Sequence, residues 1–293
     1  MEYTYYPGCS LEVSNKAYDI SARNVAKALG ADLVELEDWN CCGATNYMSV
    51  RELRSFAISA RNLALAEKKN NKDLVTVCSA CYTTLNKTHK YMKEDAKLRG
   101  QVNDALSAVD LKYDCNVNVR HLLDVFVNDV GIENIVSKMK VPLKGLNVIP
   151  YYGCQLTRPN ATFDDAEFPM TMDVLFKALG ANVVDYPLKT KCCGGMLMTT
   201  ADKVALKLVR SLLDCAVKKG GDVIITPCPL CHFNLDAYQD NVNKMFGTNF
   251  AVPILFFTQL VGVALGLSGQ ELALGQEIVP AEKVLSAYMG GRQ

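Results

Sequence analysis

Along the chain, apolar and polar positions follow two rhythms. Short apolar runs of four to six residues alternate with stretches in which apolar side chains return every three or four. The first rhythm predicts strands and the second amphipathic helices. Tyr3 to Tyr6 reads as a strand stopped by Pro7-Gly8, with Cys9 just beyond its end. A helix follows from about Asn15 to Leu29, with Gly30 as its C-terminal cap. Ala31 to Leu36 is a second strand, and a loop then carries Cys41-Cys42-Gly43. Ser49-Val50-Arg51-Glu52 has the form of a capping box, and behind it Leu53, Phe56, Ala57, Ala60, Leu63 and Ala64 share one helical face. Asp73 to Val77 is the next strand, and Cys78-Ser79-Ala80-Cys81 stands where it runs out. Residues 87 to 140 read as mostly helical, with Leu122, Leu123, Phe126, Val127, Ile132, Ile135 and Val136 on an apolar face. Lys138 to Leu146, with Pro142 and Gly145, is the expected linker.

The second half repeats the first. Tyr5-Tyr6-Pro7-Gly8-Cys9 is echoed by Pro150-Tyr151-Tyr152-Gly153-Cys154, and Ala28-Leu29-Gly30-Ala31 by Ala178-Leu179-Gly180-Ala181. Asp222 to Thr226 with Cys228 and Cys231 matches Asp73 to Val77 with Cys78 and Cys81. The offset is 145 residues from Cys9 to Cys154 and 151 from Cys42 to Cys193, so the chain is a tandem duplication. Pro253 to Leu267 is expected to replace the helix around His121 to Val127, and Gln270 to Gln293 to form a weak amphipathic helix. The expected fold is α/β, with units at residues 1–142 and 143–293. Each cysteine group follows a strand, and in an open parallel sheet such loops gather at one edge, where ligands bind.

Composition narrows the function. With 293 residues, each half can bury its own core. Thirty-one basic residues balance 31 acidic ones, which speaks against a nucleic-acid or membrane surface. Met1 to Cys9 has neither a basic nor an apolar leader segment, so no signal peptide is expected. The longest apolar run, Ile254 to Leu267, is too short to span a bilayer and reads as a buried helix. Twelve cysteines in such a chain point to metal rather than disulfides, and to a reducing cytoplasm.

Ten of those cysteines fall into two sets of five. A structural zinc site needs four ligands, and a ferredoxin-type cubane four thiolates in a compact run. Five soft donors per centre suggest an iron–sulfur cluster of unusual shape. Gly43, Gly194 and Gly195 admit backbone close to the sulfurs, where amides can donate to them. A zinc-stabilised scaffold or a non-catalytic electron relay remains the plainer alternative.

The run Cys-x31-Cys-Cys-Gly-x34-Cys-x-x-Cys, with its counterpart from Cys154 to Cys231, resembles the cysteine-rich CCG domain present twice. A two-repeat chain without an attached ferredoxin module is most similar to the family of B subunits of the heterodisulfide reductases of methanogenic archaea. That resemblance implies two small Rossmann-like domains related by a pseudo-twofold axis, each holding a non-cubane [4Fe-4S] cluster. Carried over by motif, Cys9, Cys41, Cys42, Cys78 and Cys81 hold one cluster, and Cys154, Cys192, Cys193, Cys228 and Cys231 the other. The implied substrate is the mixed disulfide of coenzyme M and coenzyme B, reduced to two thiols between the clusters. The implied partners are the C and A subunits of a bifurcating heterodisulfide reductase complex, the former ferredoxin-like with iron–sulfur clusters and the latter flavin-containing, with a hydrogenase or formate dehydrogenase. Related double domains serve lactate, glycolate or succinate oxidoreductases, a second class.

Other residues carry weaker signals. His232 follows Cys231 and is a candidate proton donor to a departing thiolate, although the first repeat has Tyr82 there. His89 and His121 read as helix-face residues. Arg158, Lys189, Lys191 and Arg51 are the loop cations nearest the motifs and candidates for the coenzymes' anions, each also readable as a solvated surface charge. Cys215 shares a helical spacing with Leu208 and Leu212 and reads as a small buried hydrophobe, while Cys115 sits in a polar loop without an assigned role.

Overall fold

The apolar runs become strands of two parallel sheets. The computed structural model describes residues 1–44, 47–69, 73–159 and 163–290. In the first repeat β1 (Glu2–Tyr6), β2 (Asp32–Glu35), β3 (Asp73–Thr76) and β4 (Asn118–His121) lie in the order β2-β1-β3-β4. Around them run α1 (Cys9–Val13), α2 (Lys16–Leu29), α3 (Tyr47–Val50), α4 (Glu52–Lys68), α5 (Ser79–Glu94), α6 (Ala96–Ser107), α7 (Leu122–Asp124) and α8 (Ile132–Ser137), the last two joined by a π-helical turn. The second repeat has β5 (Asn147–Pro150), β6 (Asn182–Val183), β7 (Val223–Thr226) and β8 (Ile254–Phe256) in the order β6-β5-β7-β8. Its helices are α9 (Thr171–Ala178), α10 (Asp202–Lys218), α11 (Pro229–Ala237), α12 (Gln239–Phe246), α13 (Phe257–Leu265) and α14 (Glu282–Met289). Every strand pair is parallel, so each connection crosses a sheet face and covers it. All four residues of β7 are buried for that reason.

One core runs through both halves, and a second lies within the second repeat. Helix α2 buries Tyr18, Ser21, Ala22, Val25 and Ala26, and lies against α13 of the other repeat. Ser21 and Thr258 hydroxyls bond there at 2.7 Å, and the Tyr18 ring stacks on Phe256 at 4.0 Å. Each fully buried large apolar side chain contributes about 1.5–3 kcal/mol, so this contact is a main source of cohesion between repeats. The amides of Lys140 and Val141, in the connecting segment, donate to Ala264 at 2.9 Å and tie that segment to α13.

Several expectations are corrected. Residues 87 to 140 contain a strand, β4, whose Val119 pairs with Leu74, so His121 ends a strand instead of lying on a helix face. The run Ile254 to Leu267 divides into β8 and α13, because Ile254 to Phe256 pair with Ile224 to Thr226 before the helix begins. It therefore supplies the counterparts of both β4 and the helix behind it. Ser49 lies within α3, and α4 starts at Glu52 with Arg51 at its N-cap and no side-chain cap bond, so no capping box forms. Leu53 is 45% exposed, off the buried face that Phe56, Ala60, Leu63 and Ala64 do form. Beyond Gln270 the described helix is only Glu282–Met289, and residues 291–293 lie outside the described set. Among the described residues, no helix is long and apolar enough to cross a membrane.

Candidate metal centre

Three loops at the strand ends of each repeat bring the cysteines together. Past β1, Gly8 turns the chain at φ 80° and Cys9 opens α1. Past β3, Cys78 is the N-cap of α5 and Cys81 lies in its first turn. Past β7, Cys228 is the N-cap of α11, with Pro229 at the first helical position and Cys231 beyond it. Both knuckles thus sit at helix N-termini, where the macrodipole favours thiolate. Gly8 and Gly153 are required by space. A Cβ at Gly8 would fall 3.0 Å from Cys81 Sγ, and one at Gly153 2.9 Å from Cys231 Sγ.

Sulfur touches sulfur through both sets. Cys9 meets Cys41 at 3.7 Å, Cys41 meets Cys42, Cys42 meets Cys81 at 3.3 Å, and Cys81 meets Cys78. The second set repeats that order through Cys154, Cys192, Cys193, Cys231 and Cys228. Cys78 and Cys228 then touch each other. The line of ten thiols is therefore palindromic about one contact between the repeats. Among the described residues, no three His, Cys, Asp or Glu side chains surround one point as the ligands of a single ion would. The donor set is soft, dense and without a harder ligand, which suits a multinuclear thiolate-bound centre better than one small cation.

Crowding sets the protonation. Contacts with Cys42 and Cys9, aided by the Gly43 amide, hold Cys41 down to about 2. Cys154 and Cys193, with the Gly194 amide, hold Cys192 down to about 2. Cys42 and Cys193 are pushed up to about 12, chiefly by those charged neighbours. Without a cation, thiols this close share few negative charges, and a bound cationic centre would let all of them ionise. The amides of Gly194 and Gly195 donate to Cys192 and Cys193 at 3.3 and 3.4 Å, and those of Gly43 and Ala44 do the same for Cys41 and Cys42.

Sequence reading missed the residues that position these loops. The buried hydroxyls of Tyr6 and Tyr151, three residues before Cys9 and Cys154, donate to the carbonyls of Asn40 and Lys191 at 2.8 and 2.6 Å. Each clamps the residue just before a cysteine pair, and their repetition in the two halves was the available signal. Asn234 donates to Cys193 Sγ at 3.6 Å and to the Gly195 carbonyl at 3.0 Å, whereas the first repeat has Thr84 at that position. His121 Nε2 donates to the carbonyls of Val77 and Pro227, each at 3.1 Å, and its Nδ1 accepts from Leu123 N. Those carbonyls precede Cys78 and Cys228, so one imidazole pins both knuckles; burial lowers it to about 4 and keeps it neutral.

His232 is buried and stacks on Phe256 at 4.1 Å, and burial lowers it to about 4. Its Nε2 has no hydrogen-bond partner among the described residues. His89 lies on α5, bonded to the Tyr113 hydroxyl at 2.6 Å. Lys189 is buried on Asp173 at 2.8 Å, and its carbonyl accepts from Tyr152 and Gly153 amides, which shapes the Cys154 turn. Arg158 donates to Thr190 at 2.7 Å, while Lys191 and Arg51 are exposed. None of these four cations lines the clefts beside the thiols. Cys115 is buried at φ 66° and Cys215 is half-buried on α10, both outside the line.

The CCG cysteine-rich domain matches the chain twice, over residues 3–86 and 148–236. The chain is 35% identical to the 8-methylmenaquinol:fumarate reductase membrane anchor subunit of Wolinella succinogenes, over 97% of its own length and 99% of that protein's. It is 31% identical to the B subunit of the ferredoxin:CoB-CoM heterodisulfide reductase of Methanosarcina mazei, over 93% and 92% of the two chains. Among solved structures it is similar to a hypothetical protein from Helicobacter pylori, with a TM-score of 0.78 at 15% identity, covering 95% of this chain and 52% of that one. That likeness is one of fold.

Proposed function

The chain belongs to the CCG cysteine-rich domain family, and from that premise we propose that it is the catalytic subunit of a heterodisulfide reductase. Cys9, Cys41, Cys42, Cys78 and Cys81 hold one non-cubane [4Fe-4S] cluster, and Cys154, Cys192, Cys193, Cys228 and Cys231 hold the second. When bound, these clusters supply the two electrons of the reaction. The mixed disulfide of coenzyme M and coenzyme B takes up two electrons and two protons, its S–S bond breaks, and two thiols leave. The observation that carries this reading is the line of ten thiols, symmetric about Cys78 and Cys228, beside a cleft lined from both repeats. Iron–sulfur and flavin-containing partner subunits deliver the electrons in the cytoplasm, drawn from a hydrogenase or formate dehydrogenase. The chain's own part is to hold the sulfurs, donate amides to them and pin the two knuckles through His121.

The likeness to a fumarate reductase subunit favours a second reading, in which the same double site relays electrons between a quinol and a dicarboxylate reductase. Anaerobically purified protein separates the readings. Metal analysis is expected to give about eight irons per chain, and reduced viologen is expected to be oxidised by the mixed disulfide but not by fumarate. Zinc in place of iron, or no oxidation of reduced viologen by the mixed disulfide, would overturn the proposal.

Asn234 offers a finer check. Its side-chain N–H favours the more negative, reduced state of a centre bound through Cys193, and Thr84 gives the first repeat no such amide. Asn234→Leu is expected to move one of two midpoint potentials to more negative values in an EPR-monitored titration and leave the other in place. Movement of both, or of neither, would remove Asn234 from this role.

A further inference from the structure

A cleft of about 390 Å³ lies where the repeats meet, walled by Met48, Thr83 and Lys87 on one side and Gln155, Met196 and Thr200 on the other. The Thr83 hydroxyl donates to the Gln155 carbonyl and joins the two walls. Gln155 and Met196 also line a smaller cavity, of about 120 Å³, onto which the five cysteines of the second set open. A molecule in the cleft therefore has one end beside the thiols. Among the described residues, Lys87 is the only charged side chain on the cleft wall. The Lys87 ammonium sits 5.5 Å from the ring centroids of both Phe56 and Tyr91, which hold it in place by cation–π attraction. Its nearest carboxylate, Glu52, is 3.9 Å away with a side chain 64% exposed, too distant and too well solvated to saturate it. The second repeat has Ala237 at the matching position, six residues past its knuckle, so the cleft is cationic at one end only.

We propose that Lys87 is a specificity residue of this cleft, binding the anionic end of a thiol or disulfide whose sulfur meets the cysteines. Methionine walls suit the sulfur and methylene part of such a molecule, and the threonine hydroxyls and Lys87 suit its charged end. With one cation, the two ends of an unsymmetrical disulfide are told apart and a single orientation is favoured. This inference rests on the disulfide-reductase reading and adds which part of the substrate the chain recognises.

The test uses iron-loaded, anaerobically purified protein titrated with 2-mercaptoethanesulfonate and, separately, with neutral 2-mercaptoethanol, reading the change in the visible and EPR spectra. Wild-type protein is expected to bind the sulfonate about tenfold more tightly, about 1.4 kcal/mol. Lys87→Met is expected to abolish that preference, with neutral-thiol binding and iron content unchanged, and Lys87→Arg to keep it. An undiminished preference in Lys87→Met overturns the role of Lys87 while the disulfide reading stands. If neither thiol alters the wild-type spectra, both fall. Should Lys87→Met fail to load iron, the wild-type protein decides: equal affinity for the sulfonate and the neutral thiol overturns the proposal.

Discussion

Cys193→Ala is expected to lower bound iron and acid-labile sulfide by about half and to reduce disulfide turnover by more than about 100-fold. Cys193 is buried, touches Cys192 and Cys231, and accepts from the Gly195 amide and from Asn234. Removing its sulfur breaks the middle of one set and leaves the set from Cys9 to Cys81 intact, so the loss is half of the metal and not all of it. Turnover falls much further, because two electrons must reach one disulfide. Cys42→Ala is expected to do the same from the other side. Cys215→Ala, on α10 and outside the sulfur line, is the control and is expected to retain all its iron. Full iron content in Cys193→Ala would remove that residue from the ligand set.

Phe256→Ala is expected to cost about 3–5 kcal/mol of folding stability, read from denaturant unfolding of the iron-loaded protein. Its ring is 1% exposed and lies between Tyr18 of the first repeat and His232 of the second, at 4.0 and 4.1 Å. Truncation leaves a cavity at the joint between repeats, which α2, α11 and the second sheet hold in shape. Tyr18→Phe is expected to be neutral or slightly stabilising, because its buried hydroxyl has no partner among the described residues and stacking survives the change. A loss below about 1 kcal/mol in Phe256→Ala would show that the stack does not hold the repeats together.

Phe256 also illustrates how pseudo-symmetry differs from repetition in sequence. The register pairs Thr76 with His121 and Thr226 with Phe256, so an imidazole and a phenyl ring end the fourth strands of the two sheets. Tyr82 lies edge-on to His121 at 6.0 Å, and His232, its counterpart after the second knuckle, stacks on Phe256. One joint is closed by hydrogen bonds to two carbonyls and the other by aromatic packing. From its neighbours alone His121 reads as a helix-face residue, because β4 is only four residues long and the apolar residues beyond it continue into a helix. A strand that short has no reliable period of its own, and pairing with β3 decides it.

The same contrast runs through the cations. Arg158, Lys189, Lys191 and Arg51 stand out by closeness along the chain, yet Lys189 is buried on Asp173 and none of the four reaches the clefts. Lys87 stands six residues past Cys81 on α5, where nothing in its local pattern marks it. It faces the cleft because that helix lies along the boundary with the other repeat.

From the sequence alone came the duplication, the strand that precedes each cysteine group, the α/β class, and the two sets of five soft donors. These are legible because strand and helix periods are local, and because spacing along a covalent chain limits which thiols one strand end can present. Tertiary structure decided that Cys78 meets Cys228, that His121 pins both knuckles, and that Lys87 is, among the described residues, the one cation of the cleft. The first two join residues more than 100 positions apart, and the cleft exists only between the repeats. All three depend on how two buried faces fit once each sheet has formed, which no local pattern encodes.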